Sequence, residues 1–157
     1  MESDRFIVDS SILVSFYHQE DVNHPEALRI MSGLEQKFLV IHPYVIQEVI
    51  TVLTYKAGNK IAAEFISDIF ENAPDILIPA LNVQNDAEFF KILNKKISLT
   101  DATLVNLSKT LHLPVVTFDK QIISLIKNST KSFPKPKLSN SIKFFGFKIR
   151  RTIVSPY

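Results

Sequence analysis

Apolar residues in this chain fall into two kinds of segment: short unbroken runs, and longer stretches in which they recur every three or four positions. The runs Phe6-Ile7-Val8, Phe38 to Ile41, Asp75 to Ile78 and Pro114 to Phe118 predict strands. Helical spacing predicts helices over Ser10 to Tyr17, Asn23 to about Gln36, Pro43 to about Lys56 and Lys60 to Phe70. It predicts three more over Asn85 to Leu93, Ser98 to near His112, and Gln121 to Ile126. Asn23-His24-Pro25-Glu26 has the order of a helix start: a cap, a proline in the first turn and an acid three residues on. Gly58-Asn59 breaks one helix from the next.

Strands that alternate with helices imply a parallel sheet covered on both faces. The expected architecture is therefore a three-layer α/β fold, with a central parallel sheet of four to five strands flanked by helices. In such sheets ligand sites gather beyond the carboxyl ends of the strands. The pattern changes near residue 128. Asn128 to Ser141 is rich in Ser and Lys, carries Pro134 and Pro136, and reads as a linker. Beyond it, Phe145-Gly146-Phe147-Lys148-Ile149-Arg150 alternates apolar and polar positions as a strand would. The chain thus divides into a domain over 1–127 and a basic extension over 128–157.

Charge sharpens that division. All 16 acidic residues lie at or before Asp119, where nine cations leave a net charge of −7. The remaining residues hold nine cations and no acid, with Phe133, Phe144, Phe145 and Phe147 among them. Such an extension suits an acidic partner, either RNA or the acidic surface of a protein, its own domain included. Cysteine is absent, which excludes disulfides and thiolate metal sites. No apolar run approaches the ~18 residues of a membrane span. The charged start Met1-Glu2-Ser3-Asp4-Arg5 is not that of a signal peptide, so a cytoplasmic protein is expected.

Four carboxylates stand at positions that the predicted sheet would bring together. Asp9 ends the first strand, Asp119 ends the fourth, and Asp101 lies in the first turn of the helix that Ser98 opens. Glu48 flanks the apolar stripe Val45, Val49, Val52, so it faces the protein rather than open water. Clustered carboxylates repel unless a cation sits among them, and oxygen-only donors suit Mg²⁺ or Mn²⁺. Those ions serve phosphate chemistry. Each residue also has a plainer reading. Asp9 and Asp119 fit helix caps, Ser98-Leu99-Thr100-Asp101 fits a capping box, and Glu48 fits a solvated helix face.

Four motifs in this order resemble the PIN-domain ribonucleases. Phe6-Ile7-Val8-Asp9-Ser10-Ser11 is similar to the opening of that domain, and Val45-Ile46-Gln47-Glu48-Val49 to its second acidic element. Ser98-Leu99-Thr100-Asp101-Ala102 resembles its S-L-x-D-A pattern, and Val115-Val116-Thr117-Phe118-Asp119-Lys120 its closing T-x-D. The likeness spans about residues 5–126 and is greatest to the VapC-type toxins of toxin–antitoxin pairs. It implies an Mg²⁺- or Mn²⁺-dependent endoribonuclease, homodimeric and silenced by an antitoxin. It implies that Asp9, Glu48, Asp101 and Asp119 ligate metal, that Thr117 hydrogen-bonds within the acidic cluster, and that Ser10 does the same or meets substrate. Lys120, Lys131, Lys135 and Lys137 are the candidate phosphate contacts. One departure is visible. Where many members carry a further acid and an aromatic after the closing Asp, this chain has Gln121 and Ile122, which bears on a second metal ion and not on the first.

Other chemistry has little support. His18, His24, His42 and His112 are scattered without metal-ligand spacing and read as structural or surface histidines. Three glycines in the whole chain leave no phosphate-cradling loop. Phe65, Ile69 and Phe70 read as core, and the apolar crowd over residues 26–70, with Leu28, Met31 and Tyr55, marks a face for a second copy or an antitoxin. Two alternatives to a toxin stand beside it: a PIN nuclease of RNA processing, and a non-catalytic scaffold that binds RNA or protein.

Overall fold

The computed structural model describes residues 4–128. Its elements run β1 (Arg5–Val8), α1 (Ser10–Tyr17), α2 (His24–Gly33), β2 (Phe38–Val40), α3 (Pro43–Lys56) and α4 (Asn59–Ser67). A π-helical turn over Asp68–Asn72 follows, then β3 (Ile76–Leu77), α5 (Val83–Leu93), α6 (Leu99–Leu111), β4 (Val115–Val116) and α7 (Lys120–Lys127). The strands form one sheet in the order β3-β2-β1-β4, with every pair parallel. Phe6 pairs with Leu39 on one side, and Ile7 with Val115 on the other. This is the expected α/β architecture, a parallel sheet flanked by helices. The segment from Phe145 to Arg150, the candidate for a fifth strand, lies outside the described residues.

The strand order places β1 in the middle, and Ile7 and Val8 are accordingly fully buried. Val40, Ile41, Val45, Val49, Leu53, Leu104 and Val105 pack around them from β2, α3 and α6. The chain passes from β1 outward through β2 and β3, then returns to the other side of β1 as β4. The gap between the carboxyl ends of β1 and β4 is therefore the switch point where ligands bind in such sheets.

Helix starts follow local chemistry. Pro43 takes the first position of α3, and the His42 Nδ1 caps it by accepting from the Tyr44 N–H at 3.2 Å. Ser98 and Asp101 make a reciprocal capping box at the start of α6. Three expectations need correction. The Asn23 side chain makes no cap; Asp21 accepts from the Asn23 N–H instead, at 2.8 Å. That helix stops at Gly33 rather than near Gln36, whose φ of 67° is incompatible with a right-handed helix. The helix expected to reach Phe70 ends at Ser67, and the π-helical turn that follows rotates the face. Phe65 and Ile69 stay buried, whereas Phe70 is half exposed. A hydrogen bond of 2.7 Å from the Tyr17 hydroxyl to Asp68 ties this turn to α1. Among the described residues, no helix is long and apolar enough to cross a membrane.

Candidate active site

Asp9 follows β1 directly and is buried, because the central strand delivers it to the carboxyl edge beneath α1. Its backbone N–H donates to the Val116 carbonyl at 3.1 Å, which stitches it to the end of β4. Its side chain is held from both strands. Oδ1 accepts from the Ser10 N–H at 2.7 Å, so Asp9 does cap α1. Oδ2 accepts from the Ser11 hydroxyl at 2.6 Å and from the Thr117 hydroxyl at 2.7 Å.

Thr117 lies just beyond β4 and works in two directions. Its oxygen donates to Asp9 and accepts from the Asp119 N–H at 2.8 Å. One hydroxyl thus couples the acid after β1 to the acid after β4, as a strand residue chosen only for its branched side chain would not. Ser11 does similar work, donating to Asp9 and accepting from the Phe118 N–H at 3.1 Å. Sequence reasoning singled out Ser10 and passed over Ser11. Ser10 is buried, only 3.4 Å from Asp9 Oδ1, and its hydroxyl also serves Glu48.

The other acids meet Asp9 electrostatically. Burial pushes the Glu48 carboxyl above its ordinary value, and the negative charges of Asp9 and Asp101 push it further; hydrogen bonds from Ser10 and Thr100 pull it back. Burial likewise raises Asp101, hydrogen bonds from Ser98 hold it down, and Asp9 and Asp119 raise it again. Glu48 therefore feels two of the other acids and Asp101 feels two, so that all four belong to one cluster. Like charges at such range disfavour ionisation unless a cation joins them.

Among the described residues, no three of His, Cys, Asp and Glu close to the spacing of a formed metal site. The chemistry of the donor set nevertheless fits a hard divalent cation. All four donors are carboxylates, and their charges reinforce one another. The caps occupy Oδ2 of Asp101 and Oδ1 of Asp119, and the second oxygen of each takes no part in them. Of the candidate substrate contacts, Lys120 is exposed beside Asp119 in the first turn of α7. Lys131, Lys135 and Lys137 lie outside the described residues.

A family model described as PIN domain matches residues 6–127, most of the chain. The chain belongs to the PIN domain family. Among solved structures, this PIN domain is similar to a Mycobacterium tuberculosis toxin, VapC20, described as cleaving the sarcin–ricin loop. The TM-score is 0.66 at 17% identity, over 76% of this chain and 93% of the other, a likeness of fold. No curated protein sequence matches the chain. The four motifs that carry the sequence resemblance all fall inside the span that the family model matches.

Proposed function

We propose that this PIN domain is a metal-dependent endoribonuclease that hydrolyses RNA phosphodiester bonds, acting as the toxin of a toxin–antitoxin pair. The observation that carries the reading is the coupling of Asp9, Glu48, Asp101 and Asp119 at the switch point of a PIN sheet. These four would hold Mg²⁺ or Mn²⁺, directly or through water. When bound, such an ion supplies the acidity that activates water and the charge that clamps a phosphate.

The chain's own residues set the stage for that chemistry. Ser11 and Thr117 fix Oδ2 of Asp9, Ser10 and Thr100 hold Glu48, and Ser98 holds Asp101. Four clustered acids repel an approaching phosphate backbone, so substrate binding calls for cations nearby. Lys120 stands beside the cluster, and Lys131, Lys135 and Lys137 supply charge from the extension; cations of this kind neutralise phosphates and release counterions. The toxin role is supported by the fold shared with VapC20. A homodimer or antitoxin contact is supported by the apolar side chains left exposed on the helices, among them Leu28, Tyr55 and Phe70. A toxin of this kind would act in the cytoplasm.

The test is to incubate purified full-length protein with structured RNAs, a sarcin–ricin-loop oligonucleotide included, in Mg²⁺ or Mn²⁺ and again with chelator. The expected result is discrete cuts that appear with metal and vanish with chelator. Cuts that persist in chelator, or no cuts on any RNA at saturating metal, would refute the proposal.

A further inference from the structure

A second group of buried polar side chains lies at the same edge of the sheet, beyond β2 and β3. His42 follows β2 and caps α3; Asp86 stands in the first turn of α5, which follows β3. Both are nearly buried, and His42 Nε2 lies 3.9 Å from Asp86 Oδ2. Because Nδ1 accepts from the Tyr44 N–H, the ring proton sits on Nε2, facing the carboxylate. The Tyr44 ring lies against the His42 ring at 4.8 Å, and its hydroxyl is turned toward Asp86. The Tyr44 hydroxyl interacts with the Asp86 carboxylate and lowers its pKa somewhat, but no full hydrogen bond reaches Asp86 Oδ2 among the described residues. Burial pushes Asp86 up to about 6 and His42 down to about 4, so near neutral pH an ionised carboxylate faces a neutral imidazole.

Stability alone does not account for such an arrangement. Desolvating a carboxylate costs several kcal/mol, and an apolar residue of similar volume often does as well or better. The arrangement makes sense in what it joins. α3 packs on α1 and α4, whereas α5 packs on α6. His42 and Tyr44, from the first set, meet Asp86 from the second. Glu48 is carried by α3 and Asp101 by α6, and Glu48 reaches across to Thr100 at the start of α6.

We infer that His42 and Asp86 form a buried brace between α3 and α5 that sets Glu48 against Asp101, making both positioning residues for divalent-cation binding. The inference rests on the reading of the acidic cluster given above. Removing the brace leaves every carboxylate of that cluster in the chain but lets α3 shift relative to α6. Metal affinity should fall while the fold survives, as when outer-shell partners of a metal site are lost.

The test measures Mn²⁺ binding to the full-length protein by the paramagnetic resonance of the free ion, with no RNA present. Four variants are compared with the wild type: Asp86→Asn, His42→Asn, Asp101→Asn and Leu93→Val. His42→Asn keeps a good helix cap while withdrawing the group that faces Asp86. Leu93→Val loosens the core of α5 away from the brace. The expected result is that Asp86→Asn and His42→Asn each weaken Mn²⁺ binding by about 10-fold. The double variant should be no weaker than either single one, because both remove the same link. Leu93→Val should bind as the wild type does. If Asp101→Asn weakens Mn²⁺ binding but the brace variants leave it unchanged, the brace inference is overturned and the site stands. If Leu93→Val weakens binding as much as they do, general loosening explains the loss and the inference is likewise overturned. If Asp101→Asn itself has no effect, the reading of the acidic cluster is what fails. Thermal unfolding of each variant confirms that a folded protein is being titrated; should Asp86→Asn not fold, His42→Asn carries the test.

Discussion

Two carboxylates at one sheet edge, Asp9 after β1 and Asp86 in the helix after β3, are both buried, yet the protein treats them differently. Asp9 receives hydroxyl and backbone donors at 2.6 to 2.7 Å and has further acids for neighbours. Asp86 faces a histidine at 3.9 Å, and its Oδ2 lacks a direct hydrogen bond among the described residues. The first pattern holds negative charge in place, as the proposed metal site requires. The second sets one buried charge against a neutral ring where two helices meet. Burial by itself therefore says little about a carboxylate's role; its donors and its neighbouring charges decide.

The largest effect should come from the acidic side. Asp101→Asn keeps the capping geometry, since an amide oxygen still accepts from the Ser98 N–H, but removes one charge of the cluster. RNA cleavage should fall to background with the fold intact by circular dichroism. Wild-type cleavage in this variant would break the comparison at its root.

A smaller effect should follow from loosening Asp9 without removing it. Ser11→Ala with Thr117→Val takes both hydroxyl donors from Oδ2. Activity should drop by about 10- to 100-fold, the usual cost of losing partners that orient a metal ligand. Thr117→Ser, which keeps the hydroxyl, should restore most of it, as measured by initial cleavage rates.

The brace side is sharpened by pH. Asp86 is raised from 3.8 to about 6, so its contribution to stability is present at low pH and is lost as pH rises through about 6. His42 is lowered from 6.5 to about 4, so its contribution is present above 6.5 and is lost as pH falls toward 4. Between pH 4 and 6 the two oppose one another. In Asp86→Asn the histidine term is left, and stability should rise with pH across that window. In His42→Asn the carboxylate term is left, and the slope should be more negative than in Asp86→Asn. Each slope is bounded by about 1.4 kcal/mol per pH unit. Urea unfolding at several pH values reads the difference; parallel slopes in the two variants would contradict the assigned shifts.

The smallest effect is one of relief. Glu48 is raised by burial and by two acidic neighbours, so without metal its charge opposes folding near neutral pH. Glu48→Gln should stabilise the metal-free protein by less than about 1 kcal/mol, given its half-buried position. The gain should disappear, or reverse, when unfolding is measured in saturating Mn²⁺.

The two regions also differ in how far they were legible in the sequence. Asp9, Asp101 and Asp119 stand where a strand end or a helix start is written locally, and Glu48 follows from helical period, so the element that carries each could be read before any fold was known. Ser11 could not, because its bond to the Phe118 N–H joins residues 107 positions apart. The same holds for His42 and Asp86. Nothing near either residue signals the other, and the pairing exists only because β2 and β3 lie side by side. Local chemistry misled once, at Asn23, where Asp21 two residues earlier takes the capping work. The π-helical turn at Asp68–Asn72 was hidden as well, since its residues have the same apolar spacing as an ordinary helix.

The central claim is that Asp9, Glu48, Asp101 and Asp119 together hold a divalent cation. Crystals of the full-length protein soaked in Mn²⁺, with anomalous diffraction collected at the manganese edge, test it most directly. The account predicts anomalous density among these four carboxylates, lost in crystals of Asp101→Asn. Density only elsewhere, for instance at Asp86, or none among the four at saturating Mn²⁺, would contradict it.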